Sequence, residues 1–72
     1  MIKEVPIRTA SIKLDSFLKW EGIASTGGQA KLMIASGRVS VNGQAAYQRS
    51  LLLRAGDLVE VAGQTYRVSQ AE

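Results

Sequence analysis

The residues best equipped for chemistry lie in one short run, Ser25-Thr26-Gly27-Gly28-Gln29-Ala30-Lys31. A hydroxyl, two glycines, a carboxamide and a cation suit the binding of an anion better than the making of bonds. With Thr26 as the N-cap of a helix, Gln29 three positions later completes a capping box. Gly27 and Gly28 are then the first two helical residues, whose backbone N–H groups have no partner inside the helix. A helix N-terminus carries about half a positive charge. Without Cβ atoms there, a phosphate oxygen can come close to the backbone. A second reading stays open, in which the glycines only relieve crowding against the preceding helix. Some reason is needed, because Gly in a helix interior costs roughly 1 kcal/mol against Ala.

Bond-making chemistry finds little to work with. The 72 residues include no His and no Cys. That removes the commonest general base, the imidazole-based triads, thiolate metal sites and disulfides. No motif holds a pair of acids. The reading is therefore a non-enzyme with no metal and no cofactor. No apolar run approaches the roughly 20 residues of a membrane span, and the N-terminal segment lacks the apolar core of a signal peptide. A cytoplasmic protein that avoids membranes is expected, acting as a monomer. The length allows one domain, residues 1–72.

The net charge is +3 and the excess is one-sided. Residues 1–38 hold Lys3, Arg8, Lys13, Lys19, Lys31 and Arg38 against Glu4, Asp15 and Glu21. In residues 39–72, Arg49, Arg54 and Arg67 are balanced by Asp57, Glu60 and Glu72. The basic half is the one that contains the two glycines, which points to an anionic partner.

The elements that position these groups follow from local pattern. Alternating Val5 and Ile7 predict a strand over about 2–8, placed at a sheet edge because Pro6 cannot donate to a ladder. Leu14, Phe17 and Leu18 recur at helical spacing, with Ser11 as N-cap and Gly22 as stop. The second helix is predicted over about Gly27 to Ser36, with Ala30, Met33 and Ile34 on one face and Gly37 ending it. Val39 and Val41, followed by Asn42-Gly43, read as a hairpin. Two further strands follow a connection over 48–57, in which Asp57 is a turn residue. The order gives an α+β domain, two helices packed on a small, mostly antiparallel sheet of short strands. Val5, Ile7, Leu14, Phe17, Leu18, Met33, Ile34, Val39, Val41, Val59, Val61 and Val68 are the expected core.

Taken in order, Lys13-Leu14-Asp15, the capped helix with Ala30 and Lys31, Gly37-x-Val39-x-Val41-Asn42-Gly43 and Gly56-Asp57 resemble a known domain. It is the RNA-binding domain of small-subunit ribosomal protein four, the alpha-L RNA-binding motif. The resemblance covers about residues 11–62. It looks like a small stand-alone bacterial member with an extra N-terminal strand. Two positions depart from the pattern, Gly27 where many members carry Arg and Gln44 where many carry Lys or Arg.

The resemblance implies contact with structured RNA, either rRNA or tRNA, including RNA on a ribosomal subunit. The implied surface is basic and joins helix one to the start of helix two. Its candidate residues are Arg8, Lys13, Lys19, Thr26, Gly27, Gly28, Gln29, Lys31 and Arg38. Each lone cation is equally explicable as solvated surface, and Trp20 either stacks a base or covers the core edge. The weakened cation count also admits a protein-interaction module that docks an acidic partner such as a ribosome-associated factor.

Overall fold

The computed structural model describes residues 1–71 and contains seven strands and two helices in the order ββααβββββ. The edge strand expected at the N-terminus is β1 (Ile2–Ile7). It pairs in parallel with the last strand, β7 (Gln64–Gln70), with Val5 opposite Val68 and Ile7 opposite Gln70. β7 continues antiparallel to β6 (Leu58–Val61), then β3 (Val39–Val41), then β4 (Gln44–Ala45), so the sheet order is β1-β7-β6-β3-β4. Pro6 is tolerated because one side of β1 has no neighbouring strand among the described residues.

The hairpin expected at Asn42-Gly43 is present, with φ of 52° and 84° at its two central residues. Positive φ at both positions gives the turn a twist that matches its strands. The Ala62-Gly63 turn joining β6 to β7 has the same signs, φ 54° and 76°.

Helix α1 (Leu14–Trp20) begins two residues later than a cap at Ser11 would set it. Its N-cap is Lys13, which makes no side-chain capping bond. Ile12–Lys13 instead forms the short strand β2, antiparallel to β5 (Leu52–Leu53) within the stretch read as a connection. The first N–H groups of α1 find distant carbonyls, Leu14 donating to Leu51 at 2.8 Å and Asp15 to Arg49 at 3.2 Å. Helix α2 (Gly27–Ala35) matches its expected span to within one residue.

Ten of the twelve expected core residues are buried, while Met33 and Val41 are half-buried against the cluster. Ala24, Ala30, Ala46 and Leu53 complete it, and Phe17 meets Tyr66 edge to face with ring centroids 6.4 Å apart. Burial of the α1 face (Leu14, Phe17, Leu18) and the α2 face (Ala30, Ile34) fixes which sides of the helices meet solvent.

Candidate nucleic-acid interface

Thr26 caps α2 as its sequence requires, its hydroxyl oxygen accepting from the Gln29 N–H at 3.1 Å. The reciprocal half of the box is displaced by one residue. Gln29 Oε1 accepts from the Ser25 N–H at 2.6 Å and from the Ser25 hydroxyl at 2.7 Å. Ser25 and Gln29 thus tie the loop to the first turn. Gly27 and Gly28 stay free of both bonds and exposed.

Crowding does not explain these glycines. A Cβ added to Gly27 would meet no atom within 4 Å, and one at Gly28 would find only Thr26 Oγ1 at 3.9 Å. No acid lies in the first turn of α2 to occupy its positive end. Lys31 stands exposed one turn on.

The remaining candidates fall into groups that spacing alone could not assign. Arg38, three residues beyond α2, shares a shallow hollow of about 330 Å³ with Gln29, Leu32, Met33 and Ser36, while Lys31 stands midway along the helix. Lys13 lies at the start of α1 rather than on it, bordering a polar hollow of about 370 Å³ with Asp15, Gln48, Arg49 and Ser50. Arg8 follows β1 and shares a larger groove with Trp20. Lys19 is exposed in the last turn of α1.

Loop 46–51 connects these groups. Its Arg49 and Leu51 carbonyls cap the start of α1, and the Tyr47 phenol lies where a side chain on Gly37 would stand, its hydroxyl oxygen 3.2 Å and a ring carbon 3.3 Å from such a Cβ. Gly37, at φ 77°, ends α2 and leaves the space that ring occupies. The start of α1 and the end of α2 therefore share one loop. Arg49, which charge balance set aside in the neutral half, joins Lys13 beside that loop. Its only sequence signal was the polar run Gln48-Arg49-Ser50, which marks exposure but names no neighbour.

Ion pairing separates the cations further. Among the described residues, Lys3 pairs with Glu21 at 2.6 Å and Arg67 with Glu4 at 2.6 Å. Asp57 is engaged by Asn42 and by the Arg54 N–H. Arg8, Lys13, Lys19, Lys31, Arg38 and Arg49 make no ion pair among the described residues, and all are exposed. The hydrogen bond to Glu21, and then its charge, raise the Lys3 pKa above the ordinary 10.5. No polar side chain is buried among the described residues, and no three His, Cys, Asp or Glu side chains converge there.

The S4 domain family matches residues 5–69, wider at both ends than the motif stretch. YbcJ of Escherichia coli (strain K12) is 37% identical over 57 residues, 79% of this chain and 81% of YbcJ. The Probable ribosome maturation protein RlbA of Bacillus subtilis (strain 168) is 35% identical over 63 residues, 88% of this chain and 89% of its own. The solution structure of E. coli YbcJ, described as revealing an ALFAL motif involved in RNA-binding, superposes with a TM-score of 0.66. That match is 31% identical and spans 94% of this chain and 85% of YbcJ. The 30S ribosomal protein S4e of Thermoplasma acidophilum shares the fold, with a TM-score of 0.63 and 22% identity over 83% of this chain and 32% of its own.

Proposed function

The chain belongs to the S4 domain family, and from that premise we propose a non-catalytic protein that grips structured RNA, rRNA or tRNA, mainly through phosphate contacts. The single domain of residues 1–72 would present Thr26, Gly27, Gly28, Gln29 and Lys31 at the start of α2. Arg38 would continue the surface along its flank, with Lys13 and Arg49 beside loop 46–51 and Lys19 and Arg8 at the end of α1. The observation that carries this reading is the open space around Gly27 and Gly28, where a Cβ would meet nothing closer than 3.9 Å. With packing unable to account for two poor helix formers in a first turn, access to their N–H donors becomes the reason to keep them. Lys31 midway along the nine-residue helix and Arg38 just past its end would add two cations beyond the N-terminal donors.

Such contacts position an RNA by its shape and leave its base sequence largely unread. The name of RlbA supports a role in ribosome maturation, and the proposal places the protein on a ribosomal subunit as a cytoplasmic monomer. A salt titration against ribosomal RNA tests the reading. About four phosphate contacts should cost on the order of 100-fold in affinity between 50 and 200 mM salt. An almost flat response would remove the electrostatic account. It would favour docking on a protein instead, for which Leu32, 71% exposed on the same helix, is the supporting observation.

A further inference from the structure

We propose that the groove between the end of β1 and the end of α1 takes one unpaired base of the bound RNA, stacked on Trp20, with the adjoining phosphate on Arg8. This rests on the RNA-binding reading above and adds a pocket for a single base to a surface otherwise made of phosphate contacts. The groove has a volume of about 470 Å³ and is lined by Ile7, Arg8, Thr9, Ile12 and Trp20.

Trp20 is not a lid on the core. Its α1 neighbours Leu14, Phe17 and Leu18 are fully buried, whereas Trp20 is 59% exposed. The indole is nevertheless held in place, because Nε1–H donates to the Pro6 carbonyl at 3.3 Å. Position 6 lies on an edge strand, so its carbonyl is available to the indole. With its one polar atom engaged, the ring offers only carbon to solvent, which is what a stacking base requires. Ile7 and Ile12 extend the apolar wall, and the Thr9 hydroxyl is turned to the Ser11 carbonyl at 2.6 Å.

Arg8 supplies the charge. It makes no ion pair among the described residues, where Glu4 and Glu21 are engaged by Arg67 and Lys3. A flat apolar body with an anion attached is the occupant that these walls and this cation fit together. A nucleotide has that form.

Trp20 is the only tryptophan, so its emission reports this groove alone. The probes are a blunt-ended RNA duplex and the same duplex with a single-stranded adenosine overhang. The unaltered protein should bind the overhang form more tightly, and only that form should quench Trp20. Trp20→Ala should lower affinity for the overhang form about 5- to 100-fold, leaving the blunt duplex unaffected. Trp20→Phe should retain part of the preference. Arg8→Gln, which disturbs no core contact, should weaken the overhang form and flatten its salt dependence by about one unit of slope. Equal binding of the two duplexes with unchanged Trp20 emission would overturn the pocket and leave the phosphate surface standing. Failure to bind either duplex would overturn both.

Discussion

The carboxamide of Asn42 donates to the carboxylate of Asp57 at 3.2 Å, joining the β3–β4 turn to the turn that launches β6. The same two side chains also serve the backbone. Asn42 Oδ1 accepts from the Leu58 N–H at 2.9 Å, and Asp57 Oδ2 from the Arg54 N–H at 2.8 Å. Residues that read locally as two separate turn formers are thus one strut, which anchors both ends of the segment carrying loop 46–51.

Asn42→Ala should therefore destabilise the protein by more than a surface change, by about 1–3 kcal/mol. It loses both side-chain bonds, which leaves the left-handed backbone at φ 52° without the partners that hold Asn42 there. Asn42→Gly relieves the backbone term alone, so its melting point should lie between those of the parent and the Ala variant. Equal melting for all three proteins would deny the strut.

Ala62 occupies a left-handed position without the side chain that helps Asn42 do so. Ala62→Gly or Ala62→Asn should raise stability by several tenths of a kcal/mol to about 1, measured by denaturant titration. RNA affinity should stay as it is, because the β6–β7 turn lies outside the proposed surface.

Gly28→Ala should stabilise the free protein by several tenths of a kcal/mol, up to about 1, since space for the methyl group exists. RNA affinity should nonetheless fall, because that methyl stands where a phosphate oxygen must approach. Gly28→Asp should sharpen the contrast, as a carboxylate favours a helix N-terminus and repels phosphate. Melting and RNA affinity, measured on the same preparations, should move in opposite directions. Stability and affinity falling together would place the anion site elsewhere.

Lys31→Ala should lower affinity across RNA sequences and reduce the salt slope by about one contact. Its melting point should stay close to the parent's, within about 0.5 kcal/mol of stability, because Lys31 is exposed and unpaired among the described residues. Early unfolding, or full affinity, would exclude it as a contact.

The pair between Lys3 and Glu21 ties β1 to the end of α1 and gives stability a signed pH dependence. Because the folded-state pKa of Lys3 is raised, the stabilisation is fully present below the ordinary 10.5 and is lost as pH rises through the higher folded value. Glu21→Gln should therefore melt below the parent at neutral pH, with the gap closing in the alkaline range above 10.5. Added salt should narrow the gap too, since Lys3 is exposed. A gap that persists at alkaline pH would mean that Glu21 acts by packing rather than charge.

What could be read from the chain alone is what depends on neighbours a few residues away. Helical spacing at Leu14, Phe17 and Leu18, the Thr26 cap of α2 and the Asn42-Gly43 turn all rest on contacts within one helical turn or one hairpin. Each is found where its pattern placed it. The parallel pairing of β1 with β7 was not legible, because its partners are separated by 63 residues. Nor were the distant carbonyls that replace Ser11 as the cap of α1, nor the approach of Arg49 to Lys13. Composition counted the cations, but only folding decided which of them acids neutralise, since Glu21 and Glu4 reach Lys3 and Arg67 through the packing of β1 on α1 and β7. The two meanings of Gly27 and Gly28 differ only in what surrounds them. A local pattern can name a residue's conformation, but its empty space is a property of every other element around it.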